Sequence, residues 1–145
     1  MTTRFAPALG RDGSFGTLSP DGSAAIPTIA FLIDVQNGSG TTLALAFFAL
    51  TGGVWVPAPP NPSSPINPGD APRYVNAPAQ SFSGLGGKLQ FAPTTGGTIT
   101  VAWDWPSGSA PTAAVYTERT SLVARGTLIN AGSGQPDFQV SVTST

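Results

Sequence analysis

The chain has 145 residues, of which 9% are charged, and its net charge is −1. This length fits one domain, and so neutral a surface excludes partners that are held by basic patches, nucleic acids and anionic lipids among them. Cysteine and histidine are both absent, which excludes thiol nucleophiles, thiolate and imidazole metal sites and every Ser–His pair.

Residues 1–25 are small, polar and glycine-rich, with isolated apolar side chains. This composition predicts an N-terminal arm that is either disordered or pinned along a surface. The arm lacks the continuous apolar run of a signal peptide. The longest apolar run of the chain, at 43–50, is far shorter than the roughly 20 residues of a membrane-spanning helix. We therefore expect a soluble protein that acts outside the cell or in an assembled particle.

The 18 glycines and 15 prolines fall every few positions and leave no window for a long helix. The uninterrupted segments are short and rich in Val, Ile, Thr and aromatic residues, as β-strands are. From residue 26 onward the pattern predicts strands at 28–36, 41–50 and 54–56, with a turn at 37–40. The second of these is apolar on both faces, which indicates a central or covered strand.

A proline-rich stretch follows at 57–72, and it must be loop or edge because proline cannot donate to a β-ladder. After it we predict an edge strand at 73–80. The remaining predicted strands lie at 88–91, 98–105, 113–118, 121–129 and 138–143.

Strand 98–105 alternates cleanly between its two faces. Ile99, Val101 and Trp103 are predicted to point inward, and the residues between them, Thr98, Thr100 and Ala102, outward. About eight strands at regular spacing predict an all-β fold, a single antiparallel β-sandwich formed by residues 26–145.

The seven carboxylates offer little for catalysis. Asp34 lies inside an apolar strand and Asp104 between two tryptophans, where burial would raise the pKa of an acid. The simpler interpretation places Asp34 on the outer face or at the end of its strand, and has Asp104 cap a turn. We favour it, because unpaired carboxylates are weak evidence of catalysis.

The glycine clusters at 84–87 and 96–97 do not precede a helix and a lysine, so no phosphate-binding loop is expected. We predict a protein without enzymatic activity or a bound metal.

Aromatic side chains are the stronger candidates for binding. We interpret Trp103 and Trp105 as lying on opposite faces of a strand end, one in the core and the other toward solvent or a partner. Tyr74 and Tyr116 lie near loops. An aromatic ring whose polar edge stays hydrated while the rest is apolar suits contact with a sugar or a membrane interface. The alternative is that both sheets are covered and all the aromatic side chains belong to the core.

Several motifs occur in an order that resembles the aegerolysin superfamily of small bacterial and fungal β-sandwich proteins. They are Asn37 in VQNGSG; Gly53 and Trp55 in GGVWVP; Pro59, Pro60, Ile66, Pro68 and Gly69 in the proline stretch; 83–89 in SFSGLGGKLQF; Trp103, Asp104 and Pro106; and the terminal GSGQPDFQVSVT. The likeness covers about residues 29–143 and leaves the arm outside. Trp105 departs from it, because many members carry cysteine inside that motif.

The resemblance implies binding of a membrane lipid headgroup, often together with a larger pore-forming protein that perforates the membrane. Some relatives are insecticidal. We expect the site on a rim formed by the proline stretch and the strand end 103–106, since loops on a rigid scaffold usually carry binding. The candidate contacts are Tyr74, Trp103, Asp104, Trp105 and Tyr116.

Two alternatives stay open. A structural subunit, such as a virion or surface-layer component, would use the arm and the weak charge repulsion to join its neighbours in a homo-oligomer. A sugar-binding lectin would use exposed aromatic rings. In every case the low charge favours neutral partners, and neither a cofactor nor nucleic acid is expected.

Overall fold

The computed structural model describes residues 27–145, so the arm predicted at 1–25 lies outside the described residues. The described chain forms nine strands: β1 Phe31–Asn37, β2 Leu43–Gly52, β3 Val54–Trp55, β4 Arg73–Ala77, β5 Leu85–Pro93, β6 Thr98–Trp105, β7 Thr112–Glu118, β8 Val123–Ile129 and β9 Asp137–Thr143. Between residues 27 and 145 there is no helix long and apolar enough to cross a membrane.

The strands form two sheets that face each other. The five-stranded sheet has the order β3-β4-β1-β9-β8, and the four-stranded sheet has the order β2-β5-β6-β7. The predicted all-β sandwich is thereby confirmed. One pair, β1 with β9, is parallel, whereas the other pairs are antiparallel. Hairpins make neighbours antiparallel, but β1 and β9 come from opposite ends of the described chain and no hairpin sets their direction.

Inward side chains of both sheets form one core. On β6 the predicted alternation is confirmed, because Ile99, Val101 and Trp103 are buried while Thr98 and Ala102 stay partly exposed. Thr100 is buried as well, although it points outward, and its hydroxyl accepts a hydrogen bond from Gln90 Nε2 at 3.2 Å. The core consists of Phe31, Ile33, Val35, Leu43, Leu45, Ile66, Leu85, Leu89, Phe91, Ile99, Val101, Trp103, Leu122, Phe138, Val140 and Val142.

Strand β2 is an edge strand, so the prediction that it is central or covered is wrong. A β-bulge between Leu45 and Phe47 shifts its alternation by one residue. Leu45 is buried and Phe48 packs against the core, whereas Phe47 is 49% exposed. An extra residue in one strand therefore explains why an edge strand reads as apolar on both faces.

Strand β4 lies inside its sheet, between β3 and β1, so the prediction of an edge strand at 73–80 is also wrong. The edge position belongs to the two-residue strand β3, which pairs Val54 with Ala77 and Trp55 with Asn76. A strand this short leaves little unpaired backbone at the edge, as is common where sheets avoid further pairing.

Candidate functional site

The proline stretch is held against the end of the sandwich by one buried asparagine. Asn37 Nδ2 donates to the carbonyl oxygens of Thr41 at 2.8 Å and Ile66 at 3.0 Å. The backbone oxygen of Asn37 accepts from the Gly69 N–H at 2.8 Å, and Leu43 and Ile66 exchange two backbone hydrogen bonds of 2.9 Å. Because these groups are satisfied internally, the loop has a defined shape despite lacking regular strand structure.

A shallow cavity of about 430 Å³ opens between this loop and Tyr74. Its lining joins apolar proline rings to a few polar groups: Pro60, Asn61, Ser64, Pro65, Ile66, Asp70, Ala71, Pro72 and Tyr74. We call this cavity the proline-loop pocket. It brings Tyr74 and the proline stretch together, as the sequence predicts.

Two side chains give the pocket its chemical character. Tyr74 is half-buried with its ring centroid 6.3 Å from that of Phe91, and burial raises the pKa of its phenol to about 12. The Asp70 carboxylate accepts the Asn67 N–H at 3.0 Å. The pocket thus presents a neutral aromatic ring and a carboxylate among proline rings and a few neutral polar groups.

The two tryptophans predicted on opposite faces lie on the same face. Residues two apart on a strand point to the same side, and Phe31 contacts both rings, with centroid distances of 6.3 Å to Trp103 and 6.4 Å to Trp105. Trp103 is 4% exposed. Trp105 also packs against Phe82 at 4.7 Å. Both tryptophans are therefore packing residues, and the expectation that one of them faces solvent is corrected.

The indole of Trp103 is anchored by a residue that the sequence analysis missed. Asn76 is fully buried, and its Oδ1 accepts hydrogen bonds of 3.0 Å from both Trp103 Nε1 and the Gly86 N–H. Its Nδ2 donates to the carbonyl oxygens of Gly52 at 2.9 Å and Val54 at 3.2 Å. Asn76 belongs to the five-stranded sheet, and Gly86 and Trp103 to the four-stranded one. The available signal was a polar amide between the apolar residues Val75 and Ala77 of β4.

The single rim expected from the sequence does not form. Tyr74 lies beside Phe91, whereas Trp105 pairs with Leu85 at the other end of β5. Six residues of strand separate Phe91 from Leu85, which is about 20 Å. Asp104 and Tyr116 are exposed and point away from the core, on the outer face of the four-stranded sheet. The five predicted contacts therefore divide among the pocket, the core and this outer face.

Asp34 is paired on the outer face of the five-stranded sheet, which confirms the simpler interpretation of that residue. Arg73 donates to its two carboxylate oxygens at 2.7 and 2.9 Å, and lies 3.7 Å from Asp137 Oδ2. Asp137 is buried, and within residues 27–145 no group hydrogen bonds to its Oδ1. Burial first, and then the nearby Asp34 carboxylate, raises the pKa of Asp137 to about 7.

No protein-family model and no curated protein matches this sequence. Solved structures do match it. IP-1A from Alcaligenes faecalis has a TM-score of 0.64 at 13% identity, over 81% of this chain and 92% of that one. RahU protein in complex with Tris has a TM-score of 0.65 at 13% identity, over 81% and 96%. The lipid binding protein Nakanori has a TM-score of 0.66 at 13% identity, over 81% and 71%.

The chain has the aegerolysin fold. The resemblance that the sequence motifs suggested is therefore confirmed at the level of architecture. At 13% identity it carries no information about individual site residues.

Proposed function

We propose that the protein binds a membrane lipid headgroup without catalysing a reaction, and that the proline-loop pocket receives the headgroup. The observation that carries this proposal is that Tyr74 and Asp70 both line one open pocket. It is supported by the fold shared with Nakanori, which is described as a lipid binding protein.

The pocket suits a headgroup that carries an ammonium. An aromatic face attracts alkylated ammonium ions through its quadrupole, and a carboxylate adds a charge contact. The solved structure of RahU protein is a complex with a Tris molecule, which carries an amine. The chain's net charge of −1 gives no general attraction to anionic lipids, so we propose a zwitterionic headgroup.

The loop is built to bind with little loss of conformational freedom. Proline fixes the backbone, and Asn37, at the end of β1, holds the loop by donating to the Ile66 carbonyl oxygen at 3.0 Å. A site that is ordered before binding avoids the entropic cost of ordering it on contact with the ligand.

The resemblance to aegerolysins extends the proposal to a partner. A chain docked on lipid headgroups would serve as the targeting component for a larger pore-forming protein, which would carry out the perforation. Adding that second protein to chain-coated liposomes and measuring dye release tests this part separately.

Cosedimentation with liposomes tests the lipid proposal. We expect the full chain to pellet with phosphatidylcholine–sphingomyelin or phosphatidylethanolamine vesicles and not with phosphatidylglycerol alone. Tyr74→Leu keeps an apolar side chain but removes the ring, and should weaken binding about tenfold. The matched control is Tyr116→Leu, the same change on the outer face of the other sheet, which should bind as the parent does.

A second pair of variants tests the carboxylate. Asp70→Asn keeps an oxygen for the Asn67 N–H and removes the charge, so it should weaken binding, whereas Asp104→Asn should not. Since zwitterionic headgroups are recognised at close range, raising the salt to physiological strength should change binding little. Equal binding by Tyr74→Leu and the parent, or collapse of binding with salt, would contradict the proposal.

A further inference from the structure

The outer face of the four-stranded sheet carries two exposed rings in one row. The register places Phe47 opposite Gln90, Gln90 opposite Thr100, and Thr100 opposite Tyr116, so the row crosses all four strands. Phe47 is 49% exposed and Tyr116 is 51% exposed, and of residues 27–145 only Val54 is a further large apolar residue of this kind. Single exposed rings are common on protein surfaces, but two rings at the ends of one row can both contact one extended ligand.

The surface between the rings carries hydrogen-bonding groups. Three strand spacings separate Phe47 from Tyr116, which is about 14 Å. Gln90 Nε2 donates to Thr100 Oγ1 at 3.2 Å, which holds the amide against the sheet and leaves its oxygen free of that bond. The neighbouring row, Ala49–Lys88–Ala102–Ala114, contains only one long side chain.

The polar groups decide which ligand suits this face. Inserting this face into the hydrocarbon of a membrane would remove Lys88, Gln90 and Asp104 from water. The free-energy cost of that desolvation is larger than the gain from burying two rings. Nucleic acid needs a basic surface, and this face carries one lysine beside two acids, Asp104 and Glu118. A sugar offers both kinds of contact, since the C–H side of its ring stacks on aromatic rings while its hydroxyls bond to amide, ammonium and carboxylate groups.

We infer that this face binds a neutral polysaccharide lying across the strands, with Phe47 and Tyr116 stacking on different sugar units and Gln90 and Lys88 bonding to hydroxyls between them. The site is separate from the proline-loop pocket, so it does not depend on the proposed lipid function. Phe47 was not recognised from the sequence, because the bulge that exposes it cannot be seen there.

Affinity electrophoresis of the full chain in gels that contain soluble neutral polysaccharides tests the inference. The probes are xyloglucan, glucomannan, galactomannan, laminarin and dextran, with a polysaccharide-free gel as reference. We expect at least one of them to retard the parent. Tyr116→Leu and Phe47→Leu should each weaken that interaction at least about tenfold, because each removes one stacking ring. Tyr116→Phe keeps the ring and should retain most of the binding.

Three results would overturn the inference. They are no retardation in any of the five gels, full retention of binding in Tyr116→Leu, and an equal loss of binding in Tyr74→Leu, whose ring belongs to the pocket.

Sedimentation velocity of the parent and of Phe47→Leu adds an independent check. Dissociation of an oligomer by this substitution would assign the face to contact with a second copy, and so also overturn the inference. The lipid proposal stands or falls on Tyr74→Leu in liposome binding, so the two failures are distinguishable.

Discussion

Replacing Asn76 with alanine should destabilise the protein more than most single substitutions. Its side chain makes four hydrogen bonds, two as acceptor and two as donor. Three of them reach the other sheet, at Gly52, Gly86 and Trp103. Alanine fits β4 sterically but leaves all four partners without this bond. The substitution therefore measures how much these buried hydrogen bonds between the sheets contribute to the free energy of unfolding.

The magnitude follows from the burial of each partner. The bonds from the Gly86 N–H and the Trp103 indole N–H are buried, and each donor left unpaired costs about 1–3 kcal/mol. The bonds to the Gly52 and Val54 carbonyls are only partly buried, so water can replace them and each costs about 0.5 kcal/mol. The sum is about 3–5 kcal/mol once partial relaxation is allowed for. That is a large share of the roughly 5–15 kcal/mol that stabilises an ordinary domain.

Urea unfolding followed by tryptophan fluorescence measures the effect, and Trp103 reports directly because its indole loses a partner. The control is Asn61→Ala, which removes an exposed cap on the Ser63 N–H and should change the free energy of unfolding by less than about 0.5 kcal/mol. If Asn76→Ala lies within about 1 kcal/mol of the parent at an unchanged m-value, the junction is not a major source of stability and the reasoning is refuted.

The remaining expectations concern titration and close packing. The pKa of Asp137 is raised to about 7, so between about pH 4 and 7 the folded chain binds more protons than the unfolded chain and its stability falls as pH rises. Asp137→Asn should remove this slope in urea melts over that range, and an unchanged slope would exclude Asp137 as its source. A Cβ on Gly87 would lie 2.7 Å from the Ala49 carbonyl oxygen and from Trp103 Cζ2. Gly87→Ala should therefore cost about 1–3 kcal/mol in thermal melts, while Gly132→Ala, with open space around it, should be nearly neutral.

The candidate site could be predicted only in part. Proline and glycine spacing located the loop, and Tyr74 does line the pocket beside it. The sequence could not show that Tyr74, Trp105 and Tyr116 lie apart. Residues in different sheets and on opposite faces of the sandwich can be equally close to loops along the chain. The role of Asn76 depends on Gly86 and Trp103 meeting it from the other sheet, and no local pattern encodes that meeting.

The sequence by itself determined the all-β class and the face of β6 that enters the core. Both follow from local chemistry, since proline and glycine exclude helices and a period of two aligns apolar side chains on one side. Only the tertiary structure decided that β1 and β9 pair in parallel, that β2 stands at an edge and that Phe47 is exposed. These outcomes depend on which distant strands pair and on one extra residue that reverses the alternation in β2. Such choices are settled by the packing of the whole sandwich and not by neighbouring residues along the chain.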